Sequence, residues 1–146
     1  MHSASEKVIE LFVATDQRDW IKVGACFAGS VLLDYSSMTG TPAAELSAHE
    51  IISNWKMILP DFESMHHQLG NFQTDLEENR ASVSCYGTAT HFLADEGGNL
   101  WAVVGSYDFT LVESALGEWV ITEMRFNLKY QTGNLGLPQK AINRLK

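Results

Sequence analysis

Apolar residues recur at helical spacing as far as Pro60 and alternate with polar ones from Ser64 to about Leu128. Val8, Leu11 and Phe12, with Thr15 beside them, share one face of a helix ending near residue 15. Ser3 and Glu6 stand at capping-box spacing at its start. After a polar break at residues 16–19, Trp20, Val23 and Phe27 form the apolar face of a second helix, which Asp16 is placed to cap. Gly29 and Ser30 end that helix, and the β-rich residues 31–35 predict a short strand. Residues 38–45, with Gly40 and Pro42, read as loop. Ser47 and Glu50 make a second capping-box pair ahead of Ile51, Ile52, Trp55, Ile58 and Leu59, a one-sided helix closed by Pro60.

From Ser64 the period changes to two. Strands are predicted over 64–76, 81–94, 100–113 and 118–130, joined by turns at 77–80, 95–99 and 114–117. Residues 138–146 predict a short closing helix with Ala141, Ile142 and Leu145 on one side. Three helices interleaved with one short strand, then four long antiparallel strands, is α+β by segregation of elements. Long strands curl. A sheet bent round helices encloses a cone with an apolar interior, which is a pocket wherever the wide end is unfilled.

Strand alternation also sorts side chains. Val83, Cys85, Gly87, Ala89 and His91 share a mostly apolar face, so His91 is expected inside. His67 shares its face with Met65, Leu69 and Asn71, and His66 with Gln68, Gly70 and Phe72. Both sets are mixed, and alternation does not choose between the adjacent histidines. In the last strand Val120, Met124, Phe126 and Leu128 alternate with Ile121, Glu123 and Arg125. One set is expected to face the interior and the other to meet a second subunit.

The 146 residues, 45% hydrophobic and 19% charged, fit one packed domain over 1–146. A net charge of −8 with scattered Lys and Arg leaves no basic stripe to replace counterions, which excludes a nucleic-acid backbone as partner. No apolar run reaches membrane-span length, the start lacks the pattern of a signal peptide, and a cytoplasmic setting is expected. Cys26 and Cys85 lie far apart and belong to no metal-ligand spacing, so reduced, buried thiols are expected.

Three local segments resemble one family. Residues 15–20, Thr-Asp-Gln-Arg-Asp-Trp, resemble its Asp-x-x-Asp-Trp between the first two helices. Residues 33–36, Leu-Asp-Tyr-Ser, resemble its Asp-Tyr on the first strand, and residues 67–71, His-Gln-Leu-Gly-Asn, its His-x-x-Gly-Asn. The chain is similar to the NTF2-like cone fold, in the SnoaL-like branch that contains scytalone dehydratase. That resemblance implies a dyad of Asp16 and His67, with Tyr35 and His91 as pocket donors. It also implies Ser106 and Asp108, counted back from Trp119, as substrate-binding residues, to which Trp55 and Asn71 are added. Thr15 stands where scytalone dehydratase has a tyrosine that helps hold a catalytic water. A homo-oligomer, trimer or dimer, packed through the outer face of the sheet is implied as well.

Such a set suits proton abstraction. A carboxylate bonded to one imidazole nitrogen fixes the tautomer and leaves the other as a base. Tyr35 would donate to an oxygen gaining negative charge, and His91 would bond the departing group and act as an acid. The expected activity is a cofactor-independent lyase or isomerase, dehydratase- or dehydrohalogenase-like, acting on a small, mostly apolar molecule. A metal on His66, His67, His91 and a carboxylate is not expected, because adjacent strand histidines diverge and no ligand spacing repeats. The competing reading is a non-catalytic binding module, including a dioxygenase small-subunit-like role. It predicts that Asp16 and His67 do not touch, or that side chains plug the cone.

Overall fold

The computed structural model describes residues 2–57 and 59–144. Helix α1 (Ala4–Asp16) leads to α2 (Trp20–Cys26), which passes directly into β1 (Phe27–Asp34). A one-turn helix α3 (Ser36–Thr39), a short β2 (Ala44–Ser47) and α4 (Ala48–Lys56) follow. A 3-10 turn (Leu59–Asp61) then hands the chain to β3 (Ser64–Glu77), β4 (Arg80–Phe92), β5 (Leu100–Glu113) and β6 (Trp119–Gly133), and α5 (Leu137–Asn143) closes it. The expected α+β class, with a curved and unclosed sheet against helices, is what forms.

Both predicted capping residues start their helices. The Ser3 hydroxyl accepts the Glu6 amide at 3.2 Å, and Ser47 and Glu50 form a complete reciprocal box. The second helix departs from expectation. Its N-cap is Asp19, which accepts the Lys22 amide at 3.2 Å, whereas Asp16 is the last residue of α1. Asp16 is therefore released from capping. The fourth helix ends at Lys56, two residues before Ile58, which lies outside the described residues, as does Leu145 at the end of the chain.

The sheet has six strands in the order β2-β1-β6-β5-β4-β3. The sequence reading of an all-antiparallel sheet is corrected at one seam, since β1 runs parallel to β6. The segment read as loop supplies β2, which pairs Ala44 with Leu33 and Ser47 with Ser30. Four residues with exposed or half-buried side chains carry too little alternation to signal a strand.

Alternation holds through β4 and β5. Ala81, Val83, Cys85, Ala89 and His91 are buried, as are Trp101, Val103, Tyr107, Phe109 and Leu111, while their even-numbered neighbours face outward or lie half-buried. In β6 it does not hold. Thr110 pairs with Glu123 but Leu111 pairs with Ile121, so Thr122 is an inserted residue that reverses the facing of the strand. Ile121, Met124 and Phe126 all reach the core as a result, and Val120 does not share their side. A second bulge interrupts β3, where Gly70 pairs with Tyr86 and Gln73 with Ser84. Asn71 sits there at φ 52°, a left-handed conformation that Asn tolerates better than most residues.

Candidate active site

The concave side of the sheet, roofed by α1, α3 and α4, leaves an open and largely apolar cavity of about 340 Å³. Aromatic rings make much of its wall, among them Phe12, Trp55, Trp101, Tyr107 and Phe126. Only a few polar tips interrupt it, and two belong to histidines.

His67 is the inward-facing member of the adjacent pair, while His66 is exposed. It lies on β3, the edge strand, whose outer amides have no strand to bond. Asp16 fills that gap. One carboxylate oxygen accepts the His67 backbone N–H at 2.8 Å and the other meets ring Nδ1 at 2.6 Å. Two contacts from one carboxylate fix the strand and the imidazole together. The side chains are 11% and 20% exposed, so solvent screens the pair only in part. A carboxylate in the last turn of a helix opposes the helix dipole, a local conflict that its two N–H partners offset. Because an ionised carboxylate only accepts, Nδ1 carries the proton and Nε2 is left as the basic nitrogen. Nε2 has no protein partner among the described residues. Phe12 packs against the ring at 5.0 Å between centroids.

His91 sits diagonally across the β3–β4 ladder, 6.3 Å from His67 between centroids. It is 4% exposed and stacks on Trp101 at 4.3 Å. Its Nδ1 donates to the Trp101 carbonyl at 3.1 Å. Burial pushes its pKa down to about 4. It is thus neutral near neutrality, with Nε2 an acceptor. In that state His91 is placed to receive a hydrogen bond from a hydroxyl, whereas the acid role expected for it calls for the protonated ring.

Tyr35, half-buried at the start of α3, lines the cavity and packs on Phe126 at 5.7 Å. Burial pushes its phenol well above the ordinary range, so it stays protonated as a donor. Trp55 lines the same cavity from α4, edge-on to Phe27. Thr15, which also lines the cavity, donates its hydroxyl to the Leu11 carbonyl at 2.7 Å. That hydroxyl is occupied by its own helix.

Three expected substrate-binding residues lie elsewhere. Ser106 and Asp108 point to the convex side of β5, where Asn127 donates to both and Ser84 donates to Asp108. Asn71 is turned out by its bulge, and Phe72 packs against the core in its place. All three border a hollow on the outer face of the sheet. The residue that β5 does deliver to the cavity is Tyr107, 5% exposed. Its signal was present in the sequence, since Trp101, Val103, Phe109 and Leu111 share its parity and the polar Ser106 and Asp108 do not.

Among the described residues no group of three or more His, Cys, Asp or Glu side chains could hold a metal ion. No helix there is long and apolar enough to cross a membrane. Cys26 and Cys85 are buried free thiols, both pushed up to about 12 by burial.

Comparison with known proteins agrees with this architecture. The chain is similar to the Kfla4162 protein of Kribbella flavida at 21% identity and a TM-score of 0.82, over 94% of this chain and 99% of that one. It is similar to a provisionally assigned scytalone dehydratase of Novosphingobium aromaticivorans at 17% identity and a TM-score of 0.72, over 88% and 83%. A hexachlorocyclohexane dehydrochlorinase, LinA-type3 of Novosphingobium barchaimii, follows at 11% identity and a TM-score of 0.68, over 91% of each chain. No curated protein matches. The profile of the SnoaL-like domain matches residues 6–125, and the chain belongs to that family.

Proposed function

We propose that the protein is a cofactor-independent lyase or isomerase that removes a proton beside a carbonyl or leaving group of a small, mostly apolar molecule. The observation that carries the reading is the 2.6 Å contact between Asp16 and His67 at the wall of an open apolar cavity. His67 Nε2 takes the carbon-bound proton, and Asp16 stabilises the imidazolium that forms. Tyr35 donates to the oxygen on which negative charge gathers. In an elimination the C–H electrons become the new double bond as the C–O or C–halogen bond breaks. A leaving hydroxyl takes the proton back from His67 and departs as water, while His91 accepts a hydrogen bond from that hydroxyl beforehand. A halide leaves as the anion, and the imidazolium returns its proton to solvent.

The fold likeness to a dehydratase and to a dehydrochlorinase is compatible with this chemistry. The Asp16–His67 contact and the open cavity favour this reading over the binding-module alternative, which expects a broken dyad or a plugged cone. The reading includes a cytoplasmic homo-oligomer formed through the outer face of the sheet, where Tyr86 is exposed. Sedimentation equilibrium tests that part, and a monomer at all concentrations removes it. The chemistry is tested with β-hydroxy and β-chloro ketones, following enone absorbance with wild type and His67→Ala. Enone formation by the wild type that is lost in the variant supports the assignment. Equal rates in both proteins refute it.

A further inference from the structure

Tyr107 is only 5% exposed yet makes no hydrogen bond to protein among the described residues, and its hydroxyl is not among the sealed, unpartnered polar atoms. A phenol in the interior normally finds a partner. This one borders the cavity instead, so the space beside it is where its partner belongs. The ring is held from several sides: Phe12 at 4.9 Å, Phe126 at 4.9 Å and Phe109 at 5.8 Å between centroids. Beneath it lies Gly87, one step diagonally along β4 from Cys85, the residue directly opposite Tyr107. A Cβ at Gly87 would come within 2.5 Å of the Tyr107 ring. The missing side chain is therefore what lets the ring lie flat on the sheet. Tyr35, which lines the same cavity, packs on the same Phe126 ring.

We infer that the Tyr107 hydroxyl is a second hydrogen-bond donor to the substrate oxygen, acting beside Tyr35, and that Gly87 is the seat that sets its position. The inference rests on the proposed reading of the cavity as a substrate site. Burial holds the Tyr107 phenol far above its ordinary range, which keeps the proton on the oxygen as a donor requires. Two donors at one oxygen stabilise an enolate more than either alone, and a rigid clamp avoids reorganisation as charge develops.

The test compares 2-tetralone with tetralin, a pair differing at the carbonyl acceptor. Dissociation constants come from tryptophan fluorescence with the full chain. Wild type is expected to prefer the ketone. Tyr107→Phe, which keeps the ring, should weaken 2-tetralone binding roughly tenfold and leave tetralin within about twofold. Gly87→Ala should produce the same selective loss with the hydroxyl still present. His67→Ala should leave the preference intact. A wild type that does not distinguish the two compounds overturns the inference, and so does equal weakening of both in Tyr107→Phe. An unchanged preference in Gly87→Ala overturns the seat. Deuterium exchange into bound 2-tetralone is read in parallel. If exchange is absent but the selective loss holds, the base assignment fails and the Tyr107 inference stands.

Discussion

Asp16→Asn keeps the size of the side chain and removes one of its two acceptors. Asp16 receives N–H groups from the backbone and ring of His67, at 2.8 and 2.6 Å. An amide has one oxygen and one NH2, so both donors cannot be satisfied. If the oxygen keeps the backbone N–H of the edge strand, the NH2 faces ring Nδ1. Nδ1 must then become the acceptor, and the ring proton moves to Nε2. The base disappears although every heavy atom stays in place. General-base catalysis contributes typically 10² to 10⁴-fold, so a loss of that order is expected in proton abstraction. Stability should fall by only about 1–2 kcal/mol. Two charge-assisted hydrogen bonds become neutral ones, and relief of the carboxylate at the helix C-terminus partly offsets the loss. Nitrogen-15 NMR of histidine-labelled protein reads the tautomer directly, and deuterium uptake by 2-tetralone reads the rate. Wild type should show the proton on Nδ1 of His67, and Asp16→Asn should show it on Nε2 with slow uptake. A variant with an unchanged tautomer and an unchanged rate would refute the reasoning.

Further outcomes follow from the same geometry. Native His91 refuses a proton until about pH 4, while an unfolded histidine takes one near 6.5. Wild-type stability should therefore fall by about 3 kcal/mol from this residue as pH drops through that window. Urea unfolding of His91→Phe at pH 7 and pH 4.5 should show most of that loss removed, and an equal loss in both proteins contradicts the burial argument. Asp108→Ala and Ser106→Ala should leave 2-tetralone uptake within about twofold, with Asp108→Ala losing about 1 kcal/mol from its bonds to Ser84 and Asn127. A tenfold fall in uptake would show that the outer face matters to the chemistry. Cys26 and Cys85, pushed up to about 12, should react with a thiol reagent only as fast as the protein opens. Rapid labelling of the native protein would contradict their burial.

The four long strands and the capping serines Ser3 and Ser47 were legible because their signals are local. Apolar alternation fixed which face of β4 is inside and so placed His91. The parallel seam between β1 and β6 joins residues more than ninety positions apart, such as Phe27 and Ile121, and no local pattern announces it. Bulges defeated alternation twice. The Thr122 insertion brings Ile121 and Met124 to one side, and the left-handed Asn71 turns away from the cavity that parity assigns it. Asp16 and Asp19 are equally good capping residues, and the continuation of α1 through Asp16 decides between them. The choice of His67 over His66 came from resemblance, since the residues around both are mixed. Its physical basis is tertiary: the carboxylate that orients His67 lies 51 positions away. Ser106 and Asp108 were counted from Trp119 against the parity of β5, and that parity points to Tyr107.

The central claim is that His67, oriented by Asp16, abstracts a carbon-bound proton inside the cone. Deuterium incorporation into 2-tetralone in buffered D2O, with wild type beside a folded His67→Ala variant, measures that step without needing the natural substrate. The account predicts acceleration by the wild type and a return to the buffer rate in the variant. A wild type no faster than buffer, or a variant as fast as wild type, would contradict it.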